Sequence, residues 1–177
     1  MKANQLRVKG VRVRAVGAPM KRPLATATGS IKVAPLLLVD LQTDGGIVGR
    51  SYLFGINALH LPPMAKLVEA MGEMIKGDAL APFELERKLR AKHTLLGVHN
   101  MVLFAISAID MAAWDALGQA LGQPLARLLG GVPRPVRAYN SKGLGIMSLK
   151  ALVREAVELA GEGFSALKLR LGRPEAR

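Results

Sequence analysis

Residues 105–130, AISAIDMAAWDALGQALGQPLARLLG, constrain the fold more than any other stretch of the chain. Small, acidic and apolar residues recur there at helical spacing. Ala105, Ala108, Ala112, Ala113 and Ala116 let a helix sit tightly against its neighbours, while Asp110 and Asp115 need hydrogen-bond donors and Gly130 can end a short following helix. The stretch predicts a buried helix followed by a stop.

Half of the 177 residues are apolar, enough for a sizeable core in one domain, or in a domain plus a fragment, without staples. With no cysteine, disulfides and thiolate metal sites are excluded, which fits a reducing compartment. From Met1 to Pro19 charged and apolar residues alternate and never build the uninterrupted apolar run of a signal peptide or membrane span, so a cytoplasmic protein with no membrane partner is expected. A net charge of +12 raises attraction to any polyanion. Its distribution argues against nucleic acid. Lys2, Arg7, Lys9, Arg12, Arg14, Lys21, Arg22 and Arg134 are scattered, and one Trp, two Tyr and four Phe leave little for base stacking. The densest group, Arg87, Lys88, Arg90 and Lys92, is fanned around a helix axis by its spacing.

Alternation over Leu6 to Val16, a more buried run over Val33 to Leu41, and the turn Asp44-Gly45-Gly46 before Ile47 to Phe54 predict a three-stranded antiparallel meander. Pro62 to Ile75 and Pro82 to Leu95 each open on proline and carry helical periodicity, and the small-residue helix runs from about Asn100 to Leu121. Strands followed by helices make an α+β domain of residues 1–133. After Pro133 and Pro135 the pattern changes to a strand at Val136 to Asn140, a helix at Ser148 to Gly161 and a strand at Ser165 to Leu171, a βαβ unit over 134–177. A parallel pair with one helix leaves edges and a face to be covered, so the expectation is a fold interrupted before it closes.

The arrangement A-x-S-A-I-D-x-A-A-x-D-A-x-G-Q-x4-P-L-x2-L-L-G resembles the mandelate racemase and muconate lactonizing branch of the enolase superfamily. Residues 34–41 (APLLLVDL), 49–54 (GRSYLF) and 137–141 (RAYNS) are similar to the same family. The resemblance covers Leu6 to Gly172 and implies a capping domain over 1–133, with 134–177 as the first strands and helix of a (β/α) barrel.

It further implies an oligomeric enzyme that abstracts the proton alpha to a carboxylate, a racemase or acid-sugar dehydratase. Magnesium, held by three carboxylates on later barrel strands, would stabilise the enediolate. Those strands and the family's Asp/His dyad have no counterpart in these 177 residues, which are expected to hold no metal ligand and not to catalyse alone. His60, His93 and His99 do not match the dyad and are read as surface or packing residues.

Lys168-Leu169-Arg170 stands where the family has Lys-x-Lys, whose first lysine helps hold the substrate carboxylate and whose second is the base; in this chain the pair becomes Lys168 and Arg170. Deprotonating a guanidinium at neutral pH takes roughly 7 kcal/mol. Arg170 is therefore expected to stabilise charge electrostatically, leaving Lys168 or a histidine downstream as the base, which suits a one-base reaction such as dehydration better than two-base racemisation. By resemblance, Ser141 donates to the substrate carboxylate, Lys142 adds positive charge, Tyr52 reaches over the substrate, and Lys21 to Val33, with Thr26, Thr28, Gly29 and Ser30, is a mobile flap. Without the resemblance, Asn140 to Gly143 reads as a turn, Tyr52 as a strand-face filler, and Lys168 and Arg170 as solvated strand-end cations. The alternative from another class is a non-catalytic binding or oligomerisation module that keeps the capping fold.

Overall fold

The computed structural model describes residues 6–26, 29–55 and 57–170. Strands β1 (Val8–Thr26), β2 (Gly29–Thr43) and β3 (Val48–Phe54) form one sheet in the order β1-β2-β3. β2 and β3 pair antiparallel from Leu36 opposite Phe54 to Gln42 opposite Val48. Between them Gly46 takes φ 80°, the left-handed conformation a tight turn needs, and Thr43 N–H donates to Ile47 O at 3.0 Å. Leu37, Val39 and Leu41 alternate inward along β2, with Asp40 outward and opposite Arg50, the period-two burial of a half-covered sheet.

The helices are α1 (Leu61–Ile75), α2 (Pro82–Lys92), α3 (Asn100–Leu121), α4 (Leu125–Leu128) and α5 (Leu149–Ala160). Prolines stand in the first turns of α1 and α2, where the missing N–H is no loss. α2 ends at Lys92, short of the expected Leu95: His93 caps it, and a turn follows, with Gly97 N–H donating to His93 O at 2.9 Å. α3 has the bounds its periodicity predicts and is stopped by Gly122 at φ 61°. It is long and apolar enough to cross a bilayer by length and composition, yet it packs here on β3, α1 and α2 with Ala105, Ile106, Ala108, Ile109, Ala112, Ala113 and Ala116 buried, as a core helix does. Each buried isoleucine contributes about 1.5–3 kcal/mol.

β3 approaches α3 so closely because residue 49 is glycine: a Cβ there would overlap the carbonyl oxygen of Ala112 and lie 2.8 Å from Cβ of Ala116. Three hydrogen bonds then fasten helix to strand. Ser51 Oγ donates to Ala108 O at 2.6 Å, Arg50 N–H donates to Asp115 Oδ2 at 2.8 Å, and Gln119 Nε2 donates to Val48 O at 3.0 Å.

Two sequence expectations are corrected. The stretch 21–33 is strand at both ends, in β1 to Thr26 and in β2 from Gly29, and not a loop; Thr28 lies outside the described residues. β1 is an edge strand, where Pro19 and Pro23 remove no ladder bond the sheet requires. The βαβ unit after Pro133 keeps its helix α5, but its strands are reduced to a single parallel bridge, Asn140 with Leu167; Leu171 lies outside the described residues. Residues 131–139 are exposed, so nothing buries that first strand, and isolated pairs do not sustain a ladder.

By packing, the described residues of Met1–Gly17 and Pro35–Pro133 form one compact unit, and those of Ala18–Ala34 and Arg134–Arg177 a second.

Candidate functional site

In the second unit the single bridge decides which side chains come together. Asn140 N–H donates to Ala166 O at 2.9 Å, Lys168 N–H donates to Asn140 O at 2.9 Å, and Arg170 N–H donates to Leu144 O at 3.0 Å. The polar edge of residues 166, 168 and 170 thus runs along the 140–144 segment. Beyond the bridge at Leu167 the chain is irregular, so these last two backbone hydrogen bonds, and no strand ladder, hold Lys168 and Arg170 beside that segment. Lys168 is exposed and Arg170 half-buried.

Asn140, only 2% exposed, organises this segment, and sequence reasoning gave it no role beyond a turn. Its amide Nδ2 donates to Glu162 Oε2 at 3.0 Å and to Leu159 O at 3.4 Å, while its Oδ1 accepts the Lys142 N–H at 3.0 Å. The last contact is the Asx turn that Asn-x-Lys permits, the one signal from which its role was legible. Ser141 lies exposed at the apex of that turn. Lys142 Nζ is engaged by both oxygens of Glu162 at 3.0 and 2.9 Å. Hydrogen bonding from Lys142 holds the Glu162 carboxyl below its ordinary range, with Asn140 adding to the effect. Ser141, Lys142, Lys168 and Arg170 all belong to this unit, and Lys142 spends its charge on Glu162.

Tyr52 belongs to the first unit. It stands on β3 opposite Leu38, 63% exposed, beside a groove of about 660 Å³ that Asp110, Trp114, Leu125 and Leu129 also line. Burial, reinforced by Glu86, pushes the Asp110 carboxyl up, against hydrogen bonding from Trp114 and the charge of Arg90. Trp114 meets Phe83 edge-on with centroids 5.1 Å apart. Of the histidines, His93 is buried with Nδ1 2.8 Å from Leu89 O, His60 is exposed with Nδ1 3.3 Å from Gly55 O, and His99 is exposed at the start of α3. Three of the four basic residues grouped on α2 are ion-paired: Arg87 with Glu84, Lys88 with Asp78 at 2.6 Å, Arg90 with Glu86. Among the described residues no three of His, Asp or Glu gather so that they could hold a metal ion. Magnesium wants several hard oxygen donors, and the described residues do not assemble such a set.

A three-stranded meander covered by helices, with the long helix α3 locked to β3 through alanines and Asp115, is the architecture of an enolase-type capping domain. Residues 8–130 match the N-terminal domain of mandelate racemase / muconate lactonizing enzyme, and the chain belongs to that family. It is similar to a crystal structure of an enolase from alpha pretobacterium bal199 with bound magnesium, at TM-score 0.91 and 37% identity over 96% of this chain and 48% of that one. It is also similar to an enolase from Bradyrhizobium complexed with magnesium and mandelic acid, at TM-score 0.85 and 44% identity over 93% of this chain and 45% of that one. A curated relative, the hydrophobic dipeptide epimerase of Enterococcus faecalis, is 30% identical over 94% of this chain and 46% of its own length. Others include an L-talarate/galactarate dehydratase and an N-succinyl-L-Arg/Lys racemase. The chain spans about half the length of the curated relatives it matches.

Proposed function

We propose that this chain supplies the cap and the first carboxylate-binding elements of an enzyme that removes the proton alpha to a carboxylate of a small acid. One observation supports the reading: backbone hydrogen bonds from Lys168 and Arg170 to Asn140 and Leu144 lay the backbone that carries these two cations against the segment that carries the exposed Ser141. A hydroxyl donor and two cations together suit a carboxylate. Arg170 stays charged and steadies anionic substrate, so proton transfer falls to Lys168 or to a base outside these residues. Of the reactions among the relatives, one-base dehydration fits this pair better than two-base racemisation. Magnesium, the metal of the related structures, would stabilise the enediolate charge when bound. The described residues offer it no cage.

The test is calorimetric titration of the 177-residue chain with mandelate. Saturable binding that Lys168→Ala abolishes and Arg170→Ala weakens about tenfold, the worth of one charge-assisted contact, is expected; absent binding, or binding both variants retain, overturns the assignment.

A second reading, a self-associating module, is favoured by Leu149, Val153 and Val157, which recur every four residues along α5 and are 62%, 62% and 70% exposed. Sedimentation velocity decides it. A stable dimer that Val153→Glu dissociates supports the module, and a monomer at all concentrations removes it.

A further inference from the structure

One carboxylate in the second unit has two partners, one for each oxygen. Glu155, on the inner side of α5, is 19% exposed at its side chain. Its Oε1 accepts from Arg22 Nη1 at 2.9 Å, and its Oε2 accepts the backbone N–H of Leu144 at 2.8 Å. Arg22 sits on the outer part of β1 and also donates through Nη2 to Glu158, so its guanidinium fork spans two successive turns of α5. Leu144 is fully buried with φ 54°, a left-handed conformation unfavourable to a branched side chain. Its carbonyl receives the Arg170 N–H at 3.0 Å. Gly143 makes room for this arrangement, since a Cβ there would lie 2.8 Å from the carboxyl carbon of Glu155.

A continuous chain of contacts therefore runs from the β1–β2 hairpin, through Arg22 and Glu155, to the strained Leu144 and on to the backbone of Arg170. We infer that Glu155 is a positioning residue: it ties the outer hairpin to the 141–144 turn and to the cationic segment, so that ordering one orders the others. Calling that segment a substrate-binding element rests on the function proposed above; the coupling itself does not.

Amide hydrogen exchange on the full 177-residue chain reads the coupling without any ligand, so its failure is separable from failure of the mandelate titration. Arg22→Gln removes the ion pairs yet touches neither Leu144 nor Arg170. It is expected to speed exchange in the hairpin and, at a distance, at the Leu144 and Arg170 amides, by about tenfold for loss of a charge-assisted contact. Glu155→Gln keeps an acceptor for Leu144 and loses the charge that holds Arg22. The hairpin should exchange faster while Leu144 retains more protection than in Glu155→Ala. Amides in the middle of α3 serve as the internal reference and should not change. Hairpin exchange that rises in Arg22→Gln while Leu144 and Arg170 stay at the wild-type rate overturns the inference, as does identical behaviour of Glu155→Gln and Glu155→Ala. Should Glu155→Ala fail to fold, Arg22→Gln alone still decides.

Discussion

A single methyl group separates a sheet that can carry its helix from one that cannot. Alanine at position 49 would run into the backbone of α3, which has no soft side chain there to yield. Gly49→Ala should lower stability by about 3 kcal/mol in a denaturant melt, whereas Gly10→Ala, which meets open space, should change it by less than about 0.5 kcal/mol. Asp110 is the residue from which a pH dependence follows. Its carboxyl is raised chiefly by burial, so the folded state holds that proton more tightly than the unfolded state. The penalty is absent below the ordinary carboxylate range and develops as pH climbs through the raised value. Asp110→Asn should accordingly gain stability over the wild type at neutral pH and lose that advantage in acid, measured as melting temperature against pH. At Glu162 the sign is opposite: Lys142→Met should let the carboxyl titrate closer to its ordinary range, seen by carboxyl-carbon NMR.

Among the elements, α3 was legible to the residue because alanines at helical spacing encode both its period and its tight seat on a neighbour, and Gly122 encodes its end. Asp115 has two donors, of which Gln119 Nε2, one turn along the same helix at 2.8 Å, follows from the spacing and the other does not. That other is the backbone N–H of Arg50, 65 positions away in sequence, which only the docked pair brings near. Asp115→Ala should strip that amide of its acceptor, cost about 1–3 kcal/mol, and raise hydrogen exchange at Arg50. The stretch 21–33 was misjudged for a different reason. The resemblance implied a flap there, and Gly29 and the hydroxyls agreed with it, but an edge strand tolerates Pro23 as readily, so local composition did not separate the two. Within the candidate site the cations and Ser141 could be named from their motifs, and of Asn140 only its local turn to Lys142; its bonds to Leu159 and Glu162, and those of Glu155, could not. Those contacts join groups 11 to 133 positions apart that only the tertiary fold brings close, and no spacing in the sequence announces them.

At the scale of the molecule, apolar burial is unevenly shared. The first unit holds the contiguous core built on β2, α1, α2 and α3, whereas Leu144 and Leu159 are the large side chains fully buried in the described part of the second. Native-state exchange should therefore rank the two, with α3 amides opening slowest and those of α5 orders of magnitude faster. The fastening of α3 along β3 carries one more consequence, for the path by which the chain reaches this state. If β3 paired with β2 one position out of step, the face now occupied by Gly49 would present Val48 or Arg50, and the helix would find no berth. A mispaired hairpin is thus rejected when the long helix docks: α3 proofreads the sheet.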